Sequence, residues 1–192
     1  MSLRRLVLIR HGETVGRSSI RFFGSTDVEL SDEGRAQMRG AALRVRGEHF
    51  DRWVASPLRR SWQAARIVSA ANPVHLQGNL REVDFGEWEG LTAEEIQVRD
   101  PVLYAKWCER SVGFAYPGGE SRASFEERVV CGAEWLIALP VISAVAILHK
   151  GVIRTLAGHL TSDPLGPEEP ELGGVIGLKR ISSGGWVRTS DP

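Results

Sequence analysis

In the stretch Leu6-Val7-Leu8-Ile9-Arg10-His11-Gly12-Glu13-Thr14, four consecutive apolar residues run without a spacer into a guanidinium, an imidazole and a glycine. A continuous apolar run of this kind suits a parallel strand covered on both faces, because neither set of alternating side chains then meets water. The change to charge puts Arg10 and His11 at the carboxyl end of that strand, where the ligand crevice of an open α/β sheet lies. The arrangement recurs: Val145-Ala146-Ile147-Leu148 runs directly into His149, and Trp53-Val54-Ala55 leads through Ser56-Pro57 to Arg59 and Arg60. Three strand ends thus supply two histidines and several arginines.

Helical signals alternate with these runs. Ser31-Asp32-Glu33 reads as an N-cap followed by acidic residues in a first turn, and Met38, Ala41, Ala42 and Val45 recur on one face, with Gly47 as a stop. Ser56 can cap a second helix with Pro57 at its first position, its buried stripe being Leu58, Trp62 and Ala65, with Arg60 pointing away from that stripe. Thr92-Ala93-Glu94-Glu95 has capping-box spacing. A longer helix from about Ser121 carries Phe125, Val129, Gly132 and Leu136 and ends before Pro140, after which residues 141–148 form the next buried strand. From Gly151 a further helix carries Val152, Ile153, Leu156 and Leu160, and the acidic, proline-rich residues 162–171 form a loop. Residues 175–181 and 186–189 read as a hairpin around Ser182-Ser183-Gly184-Gly185. The pattern predicts a three-layer α/β/α sandwich with a largely parallel central sheet, one domain over residues 1–192, with Arg10, His11, Arg60 and His149 at the crevice.

Composition narrows the chemistry. At 192 residues, 42% hydrophobic and 25% charged, the chain can bury a full core. Its 24 basic and 24 acidic side chains cancel, which argues against a general electrostatic grip on nucleic acid or on an anionic membrane; any anion site must be local. Cys108 and Cys131 lack CxxC spacing and fit reduced thiols rather than a disulfide scaffold or a metal site. The apolar run at 6–9 is too short for a secretory core or a membrane span, so the expected location is cytoplasmic.

Paired guanidiniums match phosphate oxygens in a fork and stay charged at physiological pH, so two arginines beside two histidines read as a phosphoryl clamp. An imidazole can accept the phosphoryl group and so divide one hard displacement into two easier ones. The leaving alkoxide then needs a proton. In Leu80-Arg81-Glu82-Val83-Asp84-Phe85-Gly86-Glu87-Trp88-Glu89-Gly90 the candidate donor is Glu82, with Asp84 second, provided its surroundings raise its pKa.

Arg10-His11-Gly12-Glu13-Thr14, the Glu82 to Gly90 stretch, Ser56-x-Leu58-x-Arg60 and His149-x-Gly151-Val152-Ile153-Arg154 together resemble the histidine phosphatase superfamily, in its phosphoglycerate-mutase-like branch. Phe23-Gly24-Ser25-Thr26-Asp27-Val28-Glu29-Leu30-Ser31 and Tyr116-Pro117-Gly118-Gly119-Glu120-Ser121 are most similar to its small phosphatases, which include alpha-ribazole phosphatase. The resemblance implies a phosphoglycerate-mutase-like fold, no metal and no cofactor. It makes His11 the phosphorylated nucleophile, Arg10 and Arg60 the phosphoryl ligands, His149 a stabilising group and Glu82 the proton donor. The candidate substrate-binding residues are Arg17, Arg21, Gly24, Ser25, Thr26 and Lys150. Two of these depart from the family pattern: Arg17 stands where Asn is common and Lys150 where Gly is usual. Each either tightens the hold on a doubly charged or second phosphate or points to solvent.

Other features read as structural. Arg59 suits a solvated helix face, His49, His75 and His159 lack catalytic context, and Trp62 and Trp135 sit at core spacing. Residues 91–120 form the specificity element, whose Tyr104, Trp107, Phe114 and Tyr116 either stack on substrate or pack a lid. The expected function is hydrolysis of a small phosphate monoester such as alpha-ribazole 5′-phosphate, with inorganic phosphate as product. The alternatives are a phosphoglycerate-type mutase, disfavoured because the chain is short at 91–120, and a non-catalytic phospho-ligand binding domain. The apolar C-terminal strands offer a sheet edge through which a homodimer would pair.

Overall fold

The computed structural model describes residues 2–190. Its strands are β1 (Arg5–Arg10), β2 (Arg52–Ala55), β3 (Val74–Leu76), β4 (Ser143–Leu148), β5 (Val175–Arg180) and β6 (Trp186–Thr189), and they form one sheet in the order β3-β2-β4-β1-β5-β6. The first four in that order run parallel, and β5 pairs antiparallel with β1 and with β6. The helices are α1 (Asp32–Arg44), α2 (Arg59–Val68), α3 (Ala93–Arg99), α4 (Pro101–Cys108), α5 (Arg122–Ile137) and α6 (Lys150–Leu160).

The unbroken apolar runs are explained by where alternate residues go. In β1, Leu6 and Leu8 enter a core built with Phe125, Val129 and Leu136 of α5 and Val152 and Leu156 of α6. Val7 and Ile9 enter a second core on the opposite face, with Met38 and Ala41 of α1 and Ala64, Ala65 and Val68 of α2. In β4, Ala144, Ala146 and Leu148 divide from Val145 and Ile147 in the same way. Helices therefore cover both faces, as the sequence pattern requires.

Several helix ends follow their local chemistry. The Ser31 hydroxyl accepts from the Gly34 amide, Ser121 accepts from Ser124, and Thr92 and Glu95 close a reciprocal capping box. The start of α2 departs from expectation. Helix begins at Arg59, Leu58 is the extended N-cap without a side-chain bond, and Ser56 instead takes the Leu58 amide within the preceding turn. This changes the buried face: Arg60, Ser61, Ala64, Ala65 and Val68 point inward, and Trp62 is only half-buried at the rim. Arg60, expected to point away from the buried stripe, is fully buried.

Candidate active site

The strand register brings the histidines together. Arg10 pairs with Leu148 at the ends of β1 and β4, so the next residue on each strand, His11 and His149, emerges at the same level on neighbouring strands. The His11 amide donates to the Leu148 carbonyl (3.0 Å), and the two imidazoles meet edge to face with centroids 5.1 Å apart. Gly12 is needed for close approach, since a Cβ there would lie 2.4 Å from the Gly34 carbonyl oxygen at the start of α1.

The two rings have different surroundings. His11 Nδ1 lies 2.7 Å from the Gly12 carbonyl oxygen. A carbonyl only accepts, so Nδ1 carries the proton and Nε2 keeps the lone pair. Burial, followed by the charges of Arg60 and Arg10, holds the His11 pKa well below the ordinary imidazole value and keeps the ring neutral. Burial and Arg60 act the same way on His149, whose two ring nitrogens are both buried without a hydrogen-bond partner. Arg10 Nε and Arg60 Nε are buried and unpartnered as well. Buried polar atoms without partners are rare in folded proteins, so this concentration of them at one point marks a place for a ligand. With two guanidiniums supplying the charge, that ligand is an anion.

Arg60 is fixed from behind by a loop. Its guanidinium donates to the carbonyls of Thr26 (2.8 Å), Phe23 (3.0 Å) and Gly24 (2.6 Å). The same loop is held from its amide side by the Glu89 carboxylate, which accepts from Gly24 (3.0 Å), Ser25 (2.8 Å), Thr26 (3.2 Å) and Phe85 (3.0 Å). Glu89 thus positions Arg60 without reaching the anion site. Glu89→Gln turns one acceptor into a donor among these amides, leaving N–H groups unpaired at about 1–3 kcal/mol each. The expected result is a lower unfolding temperature and weaker inhibition by inorganic phosphate, read by thermal denaturation and a Ki measurement.

Glu82 lines the same cavity as His11. Its oxygens accept from the amides of Val83 (3.0 Å) and Gly151 (3.0 Å), the latter in the first turn of α6. Desolvation outweighs these bonds and the nearby Arg60 and Arg10 charges, and raises the Glu82 pKa above the ordinary carboxylate value. Gly151 permits the contact, because a Cβ there would lie 2.6 Å from Glu82 Oε1. Arg10 donates to the Pro170 carbonyl (2.9 Å), which ties it to the loop after α6.

A histidine phosphatase superfamily (branch 1) model matches residues 6–171. This chain belongs to that superfamily. It is 31% identical to a glucosyl-3-phosphoglycerate phosphatase of Mycolicibacterium vanbaalenii, over 100% of this chain and 89% of the relative. It is 30% identical to the adenosylcobalamin/alpha-ribazole phosphatase of Salmonella typhimurium, over 83% and 81% of the two chains. The fold matches the alpha-ribazole phosphatase of Shigella flexneri with a TM-score of 0.83 at 25% identity, covering 98% of this chain and 96% of that one. The chain is therefore a phosphatase with the phosphoglycerate-mutase-like fold.

The phosphatase opens through a cavity of about 510 Å³ whose inner end is lined by Arg10, His11 and Glu82. Phe22, Phe85, Trp107, Tyr116 and Phe125 form its apolar wall. Trp107 Nε1 donates to the Tyr116 hydroxyl (3.1 Å), while Phe114 is buried behind them, so residues 91–120 supply both lining and packing. Of the other candidate binding residues, Arg21 and Lys150 line the cavity. Arg21 is also paired with Glu95 and Lys150 with Glu168. Arg17 is exposed outside the cavity lining, and Gly24, Ser25 and Thr26 serve Arg60 and Glu89 instead. Asp84 is occupied by the Ser25 hydroxyl and the Gly86 amide. Sequence reasoning did not find Glu89 as a positioning group or Arg110, Arg122 and Arg154 as cavity residues. Arg154 was nevertheless readable as one helical turn beyond Lys150. Among the described residues, no helix is long and apolar enough to cross a membrane.

Proposed function

We propose that this phosphatase hydrolyses a small phosphate monoester through a phosphohistidine on His11, with one catalytic domain spanning the chain. The observation that carries the reading is the set of buried, unpartnered nitrogens on Arg10, Arg60 and His149 around the neutral, Nε2-nucleophilic ring of His11. In the first step Nε2 of His11 attacks phosphorus, the phosphorus–oxygen ester bond breaks, and Glu82 gives its proton to the leaving alkoxide. In the second step Glu82 takes a proton from water as that oxygen attacks phosphorus, and the phosphorus–nitrogen bond breaks to release inorganic phosphate and His11. Arg10, Arg60 and His149 hold the equatorial oxygens throughout. Alpha-ribazole 5′-phosphate and glucosyl-3-phosphoglycerate, the esters that the names of relatives suggest, head the panel of substrates.

Phosphate release over that panel, run with a competing alcohol, tests the mechanism. A shared covalent intermediate gives the same ratio of transfer to hydrolysis whatever the leaving group, whereas direct attack by water gives a ratio that varies with it. A mutase would instead isomerise phosphoglycerate in response to a bisphosphate primer.

The sign of the pH dependence follows from the two shifts. His11 must be neutral, and its pKa lies well below 6.5, so activity survives acidification through the ordinary histidine range. Glu82 must be protonated in the first step, and its pKa lies above 4.5, so activity falls as rising pH ionises it. The kcat/KM profile should show that basic limb, and Glu82→Gln should lack it. The substrate's own ionisation is common to both enzymes and cancels in their ratio.

A further inference from the structure

Lys150 carries its charge where the local structure disfavours it. It is the first residue of α6, at the positive end of the helix dipole, and Arg154 lies one turn further along the same helix. A cation at a helix N-terminus and two like charges four residues apart are each unfavourable. Burial, and after it the charge of Arg10, lowers the Lys150 pKa below the ordinary lysine value. Lys150 also departs from the glycine usual at this position, so the ammonium is a feature of this chain. Local rules broken together in this way are expected where a residue serves a site.

That site is the inner end of the cavity. Lys150 lines it with Arg10, His11 and Glu82, and it follows His149 directly in the chain. Arg10 Nε, Arg60 Nε and both ring nitrogens of His149 are buried there without partners. Among the described residues Lys150 has one ion pair, with Glu168 at 3.6 Å, and it is an unequal one: the Lys150 side chain is 33% exposed and the Glu168 side chain 95%. A carboxylate so exposed is well hydrated and screened by salt, and it competes poorly for an ammonium with a phosphoryl dianion in a partly buried site. The loop that carries Glu168 is fixed on both sides of it. Arg154 donates to the Gly166 carbonyl and Arg10 to the Pro170 carbonyl, while Glu169 turns away to Arg188 (2.6 Å). Glu168 is thereby held within reach of Lys150 from outside the cavity lining.

We propose that Lys150 is a third cationic ligand of the transferred phosphoryl group, beside Arg10 and Arg60, and that its ammonium exchanges the Glu168 carboxylate for a phosphoryl oxygen when substrate or inorganic phosphate binds. This rests on the phosphohydrolase reading of the inner site. An ammonium is a compact charge with three donors on a flexible stem, so it can turn between two acceptors without disturbing the guanidinium forks. Glu168 is then a built-in competitor that weakens the hold on the product.

The probe is inorganic phosphate, which has no leaving group, so a charge that acted only on the remainder of an ester would not change its binding. Lys150→Met should raise the Ki for phosphate by about tenfold, the scale of one charge-assisted contact. The same variant should unfold at an unchanged or higher temperature, because the charge removed opposed the helix dipole. Glu168→Gln should act in the opposite direction and lower the Ki by about twofold, as loss of an exposed pair allows, and this effect should vanish in the Lys150→Met background. Lys179→Met, an equal charge change beside Arg5 at the far end of β1 from His11, should leave the Ki unchanged. A Ki unaltered by Lys150→Met, or raised equally by Lys179→Met, overturns the ligand assignment and leaves the phosphohydrolase reading standing. A Glu168→Gln effect of the same size in both backgrounds overturns the exchange. A wild-type enzyme that neither binds inorganic phosphate nor releases it from any ester overturns this inference together with the reading beneath it.

Discussion

Replacing His11 with alanine is expected to lower kcat/KM by roughly 10⁴-fold or more for every phosphate ester, because the attacking Nε2 is lost and His149, the other neutral imidazole, is assigned to the equatorial oxygens and not to in-line attack. The neighbouring groups are unsuited to take over. Arg10 and Arg60 are cations without a nucleophilic pair, and Glu82 is committed through its oxygens to the amides of Val83 and Gly151. The loss should be one of chemistry and not of folding. His11 makes one side-chain hydrogen bond, to its neighbour's carbonyl, and its ring is held neutral against adjacent positive charge. Inorganic phosphate should still bind to the variant through Arg10, Arg60 and His149. Steady-state kinetics, thermal unfolding and phosphate binding measured on one preparation separate these effects, and a variant that turned over normally would remove His11 from the reaction.

Glu82→Gln is expected to show a loss that depends on the leaving group. An alkyl alkoxide cannot depart at neutral pH without a proton, so hydrolysis of an alkyl phosphate should fall by about 10²–10⁴-fold, the usual contribution of a positioned general acid. A p-nitrophenolate leaves without help, and its phosphorylation step should be reduced far less. Glutamine is close in shape and can keep one of the two amide contacts, so the difference between substrates isolates the proton. Equal losses on both esters would mean that Glu82 acts by position or charge and not as an acid.

The features legible in the sequence are those where local pattern and burial agree. The runs at 6–9 and 145–148 announce strands covered on both faces, and their abrupt ends at Arg10-His11 and His149 locate one side of the sheet. That the two histidines touch is a property of register, since β4 inserts between β1 and β2, and no local signal specifies that order. Arg60 shows the opposite case. Its neighbours suggest a solvated face, but the helix starts later than Ser56-Pro57 implies, and the guanidinium turns inward to a loop some thirty residues earlier in the chain. A buried arginine is tolerable only because three carbonyls receive it, and those carbonyls are aimed by Glu89. Such a chain of contacts spans distant segments and leaves no periodic trace. The short edge strand β3 is missed for a related reason: Val74-His75-Leu76 is three residues long, too short for a periodic signal, and gains its extended form by pairing with β2.

The most direct test of the account is to quench the enzyme in alkali during turnover and map covalent phosphate by peptide mass spectrometry. The account requires one base-stable, acid-labile phosphoryl group on His11, bound through Nε2, that forms and decays fast enough to lie on the path to inorganic phosphate. Phosphate found on His149 or on a carboxylate, or turnover with no phosphoenzyme at any quench time and unchanged activity in His11→Ala, would contradict it.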